Sequence, residues 1–200
     1  MWLNIKTQMK KTFISAFALV AIAFASQTQV QAQSKMNMSG GTKMVGGAAM
    51  YPTKDIIDNA VNSKDHTTLV AAVKAAGLVE TLKGAGPFTV FAPTNEAFDK
   101  LPKGTVATLV KPENKAALTK ILTYHVVAGK MDSKAIAAAI KKGKGKAELT
   151  TVEGGKLWAW MEGKKLVLKD EKGGMSTVTI ADVYQKNGVI HVVNSVLMPK

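Results

Sequence analysis

The stretch Thr89–Pro102, TVFAPTNEAFDKLP, decides how this chain is built. Phe88 to Ala92 is apolar and rich in β-formers, so it reads as a buried strand. Pro93 lacks the amide hydrogen a ladder needs and biases Ala92 toward extended backbone, so the strand ends there. Thr94 or Asn95 then caps the free amides of a new helix, with Glu96 set against its positive end. Phe98 and Leu101 fall three apart on the inner face, and Pro102 lies beyond the helix. The stretch is a strand-to-helix corner whose polar residues are taken up by capping. It holds no His, Cys or Ser. Its chemistry is architectural.

Working outward, KDIIDNAVN places Ile56, Ile57, Ala60 and Val61 on one helical face, with Thr53 as the expected cap. Asp65 opens a second helix with Leu69, Val70, Val73 and Ala76 as its buried stripe and Gly77 as its stop. Pro112 begins a third, PENKAALTKIL, which passes into TYHVVAG, an expected β run from Tyr124 to Val127. Asp132 or Ser133 caps SKAIAAAIKK. From there the period changes to two. AELTTV, KLWAWM, KLVLKD, STVTIADV and GVIHVV are separated by EGGK, EGKK, EKGG and KNG, all of hairpin-turn composition. In KLWAWM, Trp158 and Trp160 share one face, and Leu157, Ala159 and Met161 the other. Helices first and an antiparallel meander after predict an α+β domain.

Composition narrows the function. The net charge is +13, yet all 27 basic residues are lysine. Arginine supplies the planar fork that grips phosphate and guanine, so no nucleic-acid partner is expected. Without cysteine there are no disulfides, no thiolate catalysis and no cysteine-held metal. Lys10 and Lys11, then the apolar run Phe13–Ala25, then Val30-Gln31-Ala32 have the layout of a secretory signal over residues 1–32, cleaved after Ala32 or Ala25. The run is shorter than the ~20 residues that span a bilayer, so no transmembrane segment is expected in the mature chain. Residues 33–50, rich in Gly, Ser and Met, read as a flexible leader, and the folded domain is expected over 51–200.

Three segments resemble motifs of the fasciclin domain family: TVFAPTNEAF (Thr89–Phe98), ILTYHVVAGKM (Ile121–Met131) and GVIHVVNSVLMP (Gly188–Pro199). The resemblance implies a β-wedge of about seven mainly antiparallel strands with flanking helices. It also implies an exported, non-catalytic adhesion or matrix module, secreted to a periplasm or beyond. In animal relatives the Tyr-His motif is tied to receptor binding, which makes Tyr124 and His125 candidate binding residues here.

The residues themselves add little catalysis. No Gly-x-Ser-x-Gly elbow occurs, the carboxylates are scattered, and no histidine pair has ligand spacing, so neither a cofactor nor a metal is expected. His66 should be exposed, whereas His125 and His191 lie in apolar β runs as structural residues. Lys141, Lys142, Lys144 and Lys146 form a basic loop, with Lys164, Lys165, Lys169 and Lys172 on later hairpin tips, a candidate surface for anionic polysaccharide. The expected partner is such a polymer or a cell-surface or matrix protein, met by a monomer. The alternative is a periplasmic small-ligand or copper-binding protein using Met36, Met38, Met44 and Met50 of the leader.

Overall fold

The computed structural model describes residues 41–200, so the expected export signal and residues 33–40 of the leader lie outside the described residues. The rest of the leader requires a correction. Lys43–Val45 (β1) and Ala48–Met50 (β2) form an antiparallel hairpin. Gly46 and Gly47 make its turn at φ 56° and 75°, and Val45 and Met50 are buried in the core. A Cβ on Gly46 would sit 2.3 Å from Ser63 Oγ. Glycines that suggested a tether are therefore a turn held against the domain.

The helices follow their caps. α1 (Ile56–Ala60) starts at Asp55, whose carboxylate accepts from Asp58 N–H at 2.8 Å, so Thr53 is not the cap. α2 (Thr67–Ala76) stops at Gly77 with φ 74°. α3 (Val79–Lys83) leads to β3 (Phe88–Pro93). α4 (Asn95–Asp99) is capped by Thr94 Oγ1, which accepts from Ala97 N–H at 3.3 Å. α5 (Thr105–Leu109) lies in a stretch that carried no helix signal in the sequence. A 3-10 turn at Pro112–Asn114 opens α6 (Lys115–Tyr124), with His125 at its C-cap. The strand expected from Tyr124 is shorter, Val126–Ala128 (β4). Asp132 caps α7 (Ser133–Lys142) by accepting from Ala135 N–H at 2.8 Å.

The five expected strands follow as β5 (Ala147–Thr150), β6 (Lys156–Glu162), β7 (Lys165–Lys169), β8 (Met175–Gln185) and β9 (Gly188–Val193). They join β3 and β4 in one sheet of seven, ordered β4-β3-β9-β8-β7-β6-β5. Within it β3 and β9 pair in parallel and every other pair is antiparallel. A bridge between Val127 and Thr151, with Val152 N–H donating to Val126 O at 2.7 Å, brings the two edges together and nearly closes the sheet. The fold is α+β, as the segment order predicts.

Two apolar clusters result. One gathers Val45, Met50, Ile56, Leu69, Val73, Val90, Leu122 and Ile190 between the N-terminal helices and β3, β4 and β9. The other gathers Phe91, Ile136, Ile140, Leu157, Ala159, Leu168 and Val193 beneath α7. Alternation along β3 divides its residues, with Val90 and Ala92 in the first cluster and Phe91 in the second.

Candidate functional site

Tyr124 and His125 come off the end of α6 into different cores, and neither reaches the surface. The Tyr124 hydroxyl donates to Lys156 O at 2.6 Å and accepts from Glu171 N–H at 3.1 Å. Burial pushes its pKa up to about 12. His125 donates from Nδ1 to Ile121 O at 2.8 Å and accepts at Nε2 from Leu197 N–H at 3.0 Å. Burial drives its pKa down to about 4, so the ring is a neutral connector in one tautomer. The pair ties α6 to the β7–β8 turn and to the C-terminal segment. The resemblance made both candidate binding residues, while the chain itself marked His125 as structural; here both are buried, with their polar atoms hydrogen-bonded inward. His125 is corrected from a β run to a helix cap.

His191 is spent the same way. Its Nε2 donates to Met131 O at 2.9 Å, and its ring stacks on Phe91 with centroids 5.7 Å apart. The Asp182 main chain, not its carboxylate, faces Nδ1 at 3.4 Å. That carboxylate accepts from Ser133 N–H at 2.6 Å and Ser133 Oγ–H at 2.5 Å. Serine, carboxylate and imidazole are therefore near neighbours without the relay a nucleophilic serine needs. His66, expected to be exposed, is 3% exposed, with Ser63 Oγ 2.9 Å from its Nδ1. Docking of the hairpin turn covers it, since Lys64 N–H donates to Gly46 O at 3.1 Å. With His125 it borders an apolar cavity of about 40 Å³, about the size of a few waters. Burial holds both His66 and His191 below the usual imidazole pKa.

The lysines divide. Lys141 and Lys142 occupy the last turn of α7, and Lys144 and Lys146 the exposed turn beyond it. Because Ala147 pairs with Ala159, this turn lies toward the Glu162–Lys165 end of β6, alongside Lys164 and Lys165. Lys169 pairs with Trp158 further along, and Lys172 belongs to the turn at the opposite end. The four lysines of the basic loop and the four of the later hairpins are thus not all brought to one place. Sequence reading set Trp158 and Trp160 on a shared face without giving them a role. In the structure both are partly exposed, and Lys146 Nζ lies 5.1 Å from the centre of the Trp158 ring.

Of the leader methionines, two lie among the described residues, and they differ in exposure. Met44 is exposed on β1 while Met50 is buried on β2, and Met36 and Met38 lie outside the described residues. Among the described residues no three His, Cys, Asp or Glu side chains group as a metal site. No helix among them is long and apolar enough to cross a membrane.

Comparison with known proteins agrees with this geometry. The chain is 42% identical over 190 residues to Protein sll1483 of Synechocystis sp., covering 94% of this chain and 98% of that protein. It is 36% identical over 145 residues to immunogenic protein MPB70 of Mycobacterium bovis, covering 70% and 66% of the two chains. Among solved structures, the domain pair of the insect cell adhesion molecule fasciclin I superposes with a TM-score of 0.53 at 21% identity, over 70% of this chain and 45% of that one. The fasciclin domain profile matches residues 64–199. The chain belongs to the fasciclin domain family.

Proposed function

We propose that this protein is exported and works, without catalysis, as an adhesion module that binds matrix or cell-envelope material through its surface. One observation carries the reading. The motif residues with chemistry to offer, Thr94, Tyr124, His125 and His191, all spend their polar atoms on internal hydrogen bonds. What remains for recognition is the exterior, where lysine dominates. Lys141, Lys142, Lys144 and Lys146 supply the charge for an anionic polymer, drawing it in at low salt and releasing it as screening rises. The export-signal layout at residues 1–32 and the likeness to a cell adhesion molecule support the same reading.

Fractionating cells and medium, then pulling partners from the fraction that holds the protein, tests the proposal. The expected result is recovery outside the cytoplasm together with envelope or matrix polymer, in a complex that loosens with salt. A protein confined to the cytoplasm would refute it. So would a substrate turned over by the purified chain.

A further inference from the structure

The outward face of β6 carries two of the chain's three tryptophans. Lys156 to Trp160 alternates between partly exposed and buried, with Leu157 and Ala159 in the core beneath α7 and Trp158 and Trp160 turned away from it. Two residues along a strand set the indoles roughly 7 Å apart on one side. Indole is a costly group to leave wet, and although Trp160 lies across from the buried Val167, both rings stay partly exposed.

The surroundings carry more positive than negative charge, with Glu148 as the one acidic cross-strand neighbour of Trp158. Lys146 holds its ammonium over the Trp158 ring at 5.1 Å, and Lys169 is the cross-strand partner of Trp158 on the other side. Neither lysine makes an ion pair among the described residues. Lys156, by contrast, is matched to Glu148 at 2.8 Å. The platform therefore offers two flat apolar rings in line, with Lys146 and Lys169 beside the first and the one neighbouring carboxylate, Glu148 across on β5, matched by Lys156. Sugar rings present flat C–H faces that stack on indole, and acidic sugars carry a carboxylate or sulfate at their edge. A strand of such sugars satisfies both features at once, whereas an acidic peptide would use the charges and leave the rings unpaired.

We infer that the outer face of β6, with Trp158 and Trp160 as stacking platforms and Lys146 and Lys169 as charge partners, is a binding site for acidic polysaccharide. The inference rests on the proposed surface-binding function and assigns it a place and a ligand class. Lys146 belongs to both surfaces, so the basic turn after α7 extends the site along the polymer. The long lysine stem lets its ammonium leave the ring for a sugar carboxylate while the ring takes the sugar.

Calorimetry on the full chain with polygalacturonate, neutral dextran and polyglutamate separates the contributions. Polygalacturonate should bind at least about tenfold more tightly than polyglutamate, and dextran should bind weakest. Trp158→Ala and Trp160→Ala should each cost roughly tenfold or more for polygalacturonate, the effect of truncating an aromatic anchor, and leave polyglutamate unchanged. Acrylamide quenching of indole fluorescence in the unaltered protein should fall when polygalacturonate is added, a readout that needs no variant to fold. Equal affinity for the two acidic polymers, or quenching that ignores the polymer, overturns the site. Polygalacturonate binding that survives both tryptophan changes overturns the site while leaving the broader function intact. Self-association abolished by the same changes would make a second copy the occupant and also overturn it. Failure of the unaltered protein to bind any acidic polymer removes this inference and counts against the polymer partner in the proposed function.

Discussion

β9 and β6 belong to one sheet and read alike in sequence, as short apolar strands bounded by turns, yet they face opposite fates. Every residue of β9 is buried, because β3 and β8 flank it and apolar clusters cover both its faces. β6 is buried on one face only, and its other face carries two indoles into solvent. The central strand is committed to stability, with even its histidine hydrogen-bonded inward. The peripheral strand keeps a face free for something else. In this fold, distance from the centre of the sheet separates residues that hold the molecule together from residues able to recognise another.

That contrast can be broken most directly at Phe91, which stacks on His191 in the second core. Phe91→Ala should cost about 3–5 kcal/mol, read as a lowered urea midpoint. A loss no larger than a surface substitution gives would dissolve the distinction. Next comes acid. The pKa of His125 is about 4 in the fold against an ordinary 6.5, so the folded state binds fewer protons than the unfolded one. Its contribution is fully present above about pH 6.5 and drains away as pH falls toward 4. The full difference is on the order of 3 kcal/mol, and His66 and His191 are shifted in the same direction. His125→Leu should lower stability at pH 7 by about 1–3 kcal/mol, since Leu197 N–H loses its acceptor, and should flatten the decline between pH 6.5 and 4. Unfolding midpoints measured across that range decide it. An unchanged slope would show that the imidazole is not the buried neutral group described.

Smaller effects sharpen the comparison. Thr94→Ala removes the cap of α4 and should cost about 1 kcal/mol by thermal unfolding, with polymer binding untouched. Lys169→Gln on the outer side of the sheet should change stability by less than about 0.5 kcal/mol while weakening polygalacturonate binding at low salt. A reversed pattern, with Lys169 governing stability or Thr94 governing binding, would mean that scaffold and recognition are not divided as β9 and β6 suggest.

Much of the scaffold was legible because its signals are local. Pro93 and Thr94 mark the corner, Asp132 the start of α7, and the glycine-rich gaps the meander, since capping and turn chemistry act within a few residues. The Gly46–Gly47 hairpin was missed because its glycines and methionines look like a linker until Ser63 and the first core are placed against them. α5 was missed because it has no capping side chain and no fully buried residue to set a period.

The site was less legible for the same reason. Alternation in KLWAWM puts both tryptophans on one face, but whether that face is core or solvent depends on where α7 packs. Tyr124, His125 and His66 looked available or ambiguous in the chain, and long-range partners such as Leu197, Lys156 and the hairpin turn enclosed them. Strand breaks, caps and the missing cysteine and arginine are written one residue at a time, so the α+β order and the excluded chemistries could be read directly. Burial is a property of residues far apart in the chain, so the assignment of side chains to scaffold or to surface waited on the packing that brings them together.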